Sequence, residues 1–146
     1  MVDKTLILRK LAELEEYLEQ IKEYKDITIE QYSKDWKTQR VVERTIQMMI
    51  EVCVDIAEHI ISDRGYRIPT SYADTFRVLS EKDVLTRELF NTMEKMARFR
   101  NIVVHNYDRI IAEIVVDILR KDLNDFLSYR DAIINILKSE PNPPSL

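Results

Sequence analysis

The chain has 146 residues, a formal net charge of −4, 45% hydrophobic and 33% charged residues, one glycine, four prolines and one cysteine. That length suits one domain with a real core, and the scarcity of turn residues excludes a hairpin-rich β fold. A lone Cys53 excludes an intrachain disulfide, no apolar run approaches the ~20 residues that span a bilayer, and an acidic balance argues against a general duplex-binding protein.

The amino terminus, Met1-Val2-Asp3-Lys4, opens a charged amphipathic segment and not a secretory signal, so the expectation is a soluble, cytoplasmic protein without membrane contact. Ile7, Leu11, Leu14, Leu18 and Ile21 alternate steps of four and three, which predicts a first helix from about Asp3 to Tyr24. Thr28 followed by Gln31 is a capping-box pattern, and Ser33 or Asp35 caps the next helix. That helix, about Trp36 to Ser62, carries the stripe Val42, Ile46, Met49, Cys53, Ile56 and Ile60, flanked by Val41, Met48, Val52 and Ala57. A helix apolar over so much of its circumference packs against several neighbours, one of which could belong to a second subunit. Gly65 is the natural left-handed stop.

Pro69, Thr70 and Ser71 start a short helix through Leu79, and Ser80 with Asp83 can cap another turn. Thr86 is an N-cap for the following helix, where Leu89, Met93, Met96 or Ala97, Arg100 and Val104 follow one face. Asp108 or a neighbour then reopens a helix to about Lys138 through Val115, Ile118, Leu119, Leu123, Phe126, Ile133 and Leu137. Glu140-Pro141-Asn142-Pro143-Pro144 stops it. The expected architecture is all-α, an antiparallel bundle of four to five helices over residues 1–140, with 141–146 as a disordered tail.

The stretch Arg98-Phe99-Arg100-Asn101-Ile102-Val103-Val104-His105-Asn106-Tyr107 concentrates the chemistry. Arginine is a permanent forked phosphate ligand, and histidine transfers protons near neutral pH. Arg100 and His105 lie about 140° apart on a continuous helix. They converge on one substrate only if the helix ends or distorts near Val104, or if a second chain supplies its own copy. Lys95, Arg98, Arg100 and Arg109 are expected to cluster around His105, with Glu94 and Asp108 as the nearest acids, making a small basic pocket on an acidic body. Arg100 on a buried face needs an anionic or carbonyl partner.

Glu51, Asp55 and His59 recur at steps of four. A solvated stripe is the favoured reading; the alternatives are a metal site, which lacks matching ligand pairs elsewhere, and an acidic surface facing the arginines. Trp36 reads as core packing at a helix start, with partner contact as the alternative. Neither a glycine-rich phosphate loop nor a cysteine–histidine cluster is present, so metal and cofactor sites are not expected.

Arg100, four intervening residues, His105, one residue and Tyr107 resemble the Arg-x4-His-x-Tyr signature of the HepT-like branch of HEPN-domain proteins, with Asn101 as the polar residue after the arginine. The chain from Leu6 to about Leu137 also resembles that family in length and helix order. The resemblance implies a metal-independent RNA endonuclease, the toxin of a toxin–antitoxin pair. It implies Arg100 and His105 as catalytic residues, Asn101 as a residue that orients the arginine or binds phosphate, and a homodimer, with Arg98 of the basic cluster as a further phosphate or RNA contact. It further implies a cognate minimal nucleotidyltransferase as antitoxin, which modifies Tyr107 with AMP. The rival implication is a non-catalytic HEPN module that binds a nucleotidyltransferase or its substrate.

Overall fold

The computed structural model describes residues 2–105 and 112–139, and over them the chain is all-α. Asn106, Tyr107, Asp108 and Arg109, and the tail 141–146, lie outside the described residues, so the expectations placed on them are not addressed by the fold.

Helix α1 spans Lys4–Ile21, with the Asp3 carboxylate accepting from the Leu6 amide at 3.1 Å. Its five predicted stripe residues are all buried, and a short 3-10 turn, Lys22–Tyr24, ends the segment. Thr28 and Gln31 form the reciprocal capping box at the start of α2, Ile29–Lys34. Asp35, not Ser33, caps α3, accepting from the Lys37 and Thr38 amides.

Helix α3, Trp36–Arg64, is the axis of the bundle, and α1, α2, α4 and α5 all pack on it. Val42, Ile46, Met49, Cys53, Ile56 and Ile60 are fully buried within the single chain. The idea that α3 asks for a second subunit to cover it is therefore corrected: helices of the same chain supply the cover, and only Trp36 and Val41, at its N-terminal end, stay exposed among its large apolar residues. Trp36, 64% exposed, is accordingly not a core residue.

Gly65, at φ +65°, ends α3 in the left-handed conformation, with the Tyr66 amide donating back to the Ile61 carbonyl. Helix α4, Tyr72–Glu81, is capped by the Ser71 hydroxyl. Asp83 does not start another turn as expected. It adopts φ +58°, and the Val84 amide reaches back to the Leu79 carbonyl at 2.9 Å, so Asp83 terminates α4 as Gly65 terminates α3. Aspartate is among the few side chains that tolerate this conformation.

Thr86 caps α5, Arg87–His105, by accepting from the Leu89 amide. The C-terminal helix runs as α6, Ala112–Asp117, a π-helical turn, Ile118–Asp122, and α7, Leu123–Ser139. The wider turn was not foreseen, and it has a visible consequence. Residues five apart stand about 140° apart on an α-helix but come much closer to one face when the turn widens. Asp117 and Asp122 thereby both reach Lys95 of α5, at 3.5 and 2.8 Å. Burial pulls the Lys95 ammonium down, but the Asp122 and Asp117 carboxylates outweigh it and raise its pKa.

Two buried contacts fasten α7 to the bundle. The Tyr129 hydroxyl donates to the Cys53 carbonyl at 2.7 Å, and its ring meets Phe76 edge-on with centroids 5.8 Å apart. Between α3 and α4, Arg67 forks onto Asp74 (2.8 Å to each oxygen) and also reaches Glu81. The Arg67 guanidinium and the Thr70 amide hold the buried Asp74 carboxyl well below the usual carboxylate range.

Candidate active site around Arg100

Helix α5 continues unbroken through Val104 to His105, so neither an early end nor a distortion brings Arg100 and His105 together within one chain. Helical geometry sends them to different sides, about 140° apart. Arg98, Asn101 and His105 fall within about 60° of each other, and all three are exposed. Arg100 points instead to a cleft between α5, α3 and α4, where its side chain is 19% exposed. The motif thus divides into a solvent-facing histidine row and a recessed arginine.

Arg100 has the anionic partner its position demands. Its Nε donates to Glu51 Oε1 of α3 at 3.1 Å, and its guanidinium lies 4.4 Å from the centre of the Tyr72 ring. Gln47, one turn before Glu51, donates to the same Oε1 at 3.1 Å and steadies it. Nη1 makes a long 3.5 Å contact with Asn101 Oδ1. A planar cation stacked on an aromatic face and held at Nε is oriented before any ligand arrives, with its Nη edge still able to meet a phosphate. The adjoining cleft has a volume of about 440 Å³ and is lined by Lys10, Glu13, Tyr17, Met48, Glu51 and Tyr72, among others.

The acidic stripe on α3 is thereby divided. Glu51 faces the motif arginine, and Asp55 binds Lys10 of α1 at 2.7 Å. Among the described residues no cluster of three histidine, cysteine or carboxylate side chains is placed to hold a metal ion.

The anticipated basic pocket around His105 is not assembled by the described residues. Lys95 turns to Asp117 and Asp122, and Arg98 pairs with Glu94 at 2.9 Å while Glu94 also accepts from Arg77 at 3.0 Å. Successive side chains on a helix diverge by about 100°, so closeness in sequence does not make a pocket. The residues that sequence reasoning missed are Tyr72 and Gln47. No local pattern marks them, because their roles depend on which face α4 and α3 turn toward α5.

Residues 14–133 match the family model described as ribonuclease HepT-like. The chain is 33% identical over 129 residues to the mRNA nuclease HepT of Shewanella oneidensis, covering 88% of this chain and 96% of that protein. It is 27% identical over 109 residues to the tRNA nuclease HepT of Aphanizomenon flos-aquae, covering 75% and 74%. Among solved structures it superposes with a TM-score of 0.83 on the tri-AMPylated Shewanella oneidensis HEPN toxin in complex with its MNT antitoxin, at 32% identity over 92% of this chain and 99% of that one. A cytosolic protein of Bacillus subtilis, YutE, shares the fold at a TM-score of 0.83 and 20% identity.

Proposed function

The chain belongs to the HepT-like ribonuclease family, and from that premise we propose that it is the RNA-cleaving toxin of a toxin–antitoxin pair. The observation that carries the reading is the preset Arg100: Glu51 holds its Nε, Tyr72 supports its plane, and among the described residues no carboxylate occupies its Nη groups.

The reaction assigned to it uses the RNA's own 2′-hydroxyl. That oxygen attacks the adjacent phosphorus as its proton passes to a base, and the phosphorus–5′-oxygen bond breaks as that oxygen takes up a proton. The products are a 2′,3′-cyclic phosphate and a 5′-hydroxyl. His105 supplies one proton transfer, and Arg100 stabilises the charge that builds on the phosphoryl oxygens. Asn101 and Arg98, exposed on the His105 side, contact the RNA backbone.

Two proton transfers call for two groups, and the motif has one histidine. Because α5 runs intact through His105, a second copy of the chain is the remaining way to bring a histidine and an arginine to one phosphate. The functional unit is therefore a homodimer whose two motif segments share a cleft. The neutralising partner is a minimal nucleotidyltransferase, which places AMP on Tyr107. Relatives seen with such partners support this part of the reading. Purified protein incubated with RNA should leave 2′,3′-cyclic phosphate ends, identified by mass spectrometry; 3′-hydroxyl ends would refute this chemistry.

A further inference from the structure

The outer face of α3 continues away from the Arg100 cleft and changes sign along its length. Glu51, Asp55 and Glu58 occupy its C-terminal half, while Arg40 and Arg44 occupy its N-terminal half at steps of four from Trp36. These side chains fall within about 100° of each other on the helix. Both arginines are exposed, and among the described residues neither forms an ion pair, whereas Lys10 and Arg100 do. Arg44 stands two turns before Glu51 on the same face of α3, about 10 Å along the helix axis, so the arginine row leads up to the Arg100 cleft.

Trp36 sits at the far end, 64% exposed, with Lys37 Nζ 5.7 Å from its ring centre. An indole exposed beside cations is a side chain on which a nucleic-acid base can stack. The distance from Glu51 to Trp36 is about 22 Å of helix, enough for several nucleotides.

We propose that this face, running Arg100–Arg44–Arg40–Trp36, is a track for the single-stranded RNA flanking the cleaved phosphate. The inference rests on the nuclease reading and extends it. Arg44 and Arg40 neutralise successive phosphates, and Trp36 stacks on a base, the combination by which single strands are held without reading their sequence. Charge sets the direction. Arg44 and Arg40 draw a strand toward the N-terminal end of α3, whereas the other direction offers Glu58 and an Asp55 already paired with Lys10. A protein partner would have to bring matching carboxylates and an apolar seat for the indole at this spacing, whereas a single strand offers phosphates and bases along its whole length.

The test measures binding of a fluorescent single-stranded RNA of about ten nucleotides to the full-length His105→Ala protein, in which the probe survives. In that background Trp36→Ala should weaken binding about tenfold, the stacking of one base. Arg40→Ala and Arg44→Ala should each reduce the salt slope of log Kd by about 0.7. Arg87→Ala, an exposed arginine at the other end of α5, should change neither. With His105 restored, the track variants should cleave a dinucleotide, too short to extend from Arg100 along Arg44, Arg40 and Trp36, at the wild-type rate. Unchanged binding in Trp36→Ala would overturn the track. So would an equal loss in Arg87→Ala, or a loss explained by dissociation of a dimer in light scattering. The predicted binding pattern in a protein whose wild type cleaves no RNA would support the track and sink the nuclease reading instead.

Discussion

Arg100 of α5 is bound to Glu51 of α3 through a 3.1 Å hydrogen bond, and this pair joins the motif helix to the central helix of the bundle. The arginine is only partly exposed, so its orientation is settled by the protein and not by solvent. With Arg100 in the proposed catalytic role, Glu51 is expected to act on the reaction through it, as a positioning residue.

Glu51→Gln should therefore lower kcat for RNA cleavage about tenfold with a smaller change in KM, since misplacing a charge-stabilising group costs most in the transition state. Helical content should be unchanged. A Glu51→Gln protein with wild-type kcat would show that the pair is structural only.

Asp74 supplies a separate prediction about stability. Its carboxyl is held low in the folded state, chiefly by Arg67, so the stabilisation is fully present above the unfolded carboxylate pKa of about 4. It is lost as pH falls through the lower folded value. Asp74→Asn should lower the melting temperature by several degrees at neutral pH and flatten the fall in stability on acidification. Parallel melting curves for the two proteins from pH 7 to acid would contradict this.

A homodimer is expected from the direction of two side chains. Arg100 and His105 leave α5 on different sides, so one copy presents one histidine row and one recessed arginine. Light scattering at micromolar concentration should give a dimer mass for the active protein. A monomer with full nuclease activity would refute the shared cleft.

Tyr107, outside the described residues, is expected to accept AMP from the cognate nucleotidyltransferase and ATP. The added phosphodiester would compete for Arg100 and the adenosine would fill the cleft. Peptide mass spectrometry should find one or more AMP units on Tyr107, with nuclease activity silenced in proportion. Inhibition that survives Tyr107→Phe unchanged would leave binding alone as the silencing mechanism.

Much of the fold was legible because the helices announce themselves at 3.6-residue spacing. The α1 and α3 stripes are buried as read, and Thr28, Asp35, Gly65, Ser71 and Thr86 stand at helix ends. What was not legible depends on contacts between helices. The π turn at Ile118–Asp122 has no local signature, and Asp117 and Asp122 become a pair only when Lys95 of another helix lies between them. The same limit applies at the site. Arg100 predicted an anionic partner, and Glu51 lay in a stripe for which facing the arginines was one alternative, but Tyr72 carried no pattern. Trp36 misled because an aromatic at a helix start is usually packed, whereas here no element of the described chain covers it.

The most direct test of the central claim compares RNA cleavage by the wild type, His105→Ala and Arg100→Ala, each purified free of contaminating nuclease and assayed with EDTA present. Wild-type cleavage should persist in EDTA, and each substitution should abolish it while helical content and melting temperature stay close to wild type. Cleavage by His105→Ala at the wild-type rate would contradict the assignment.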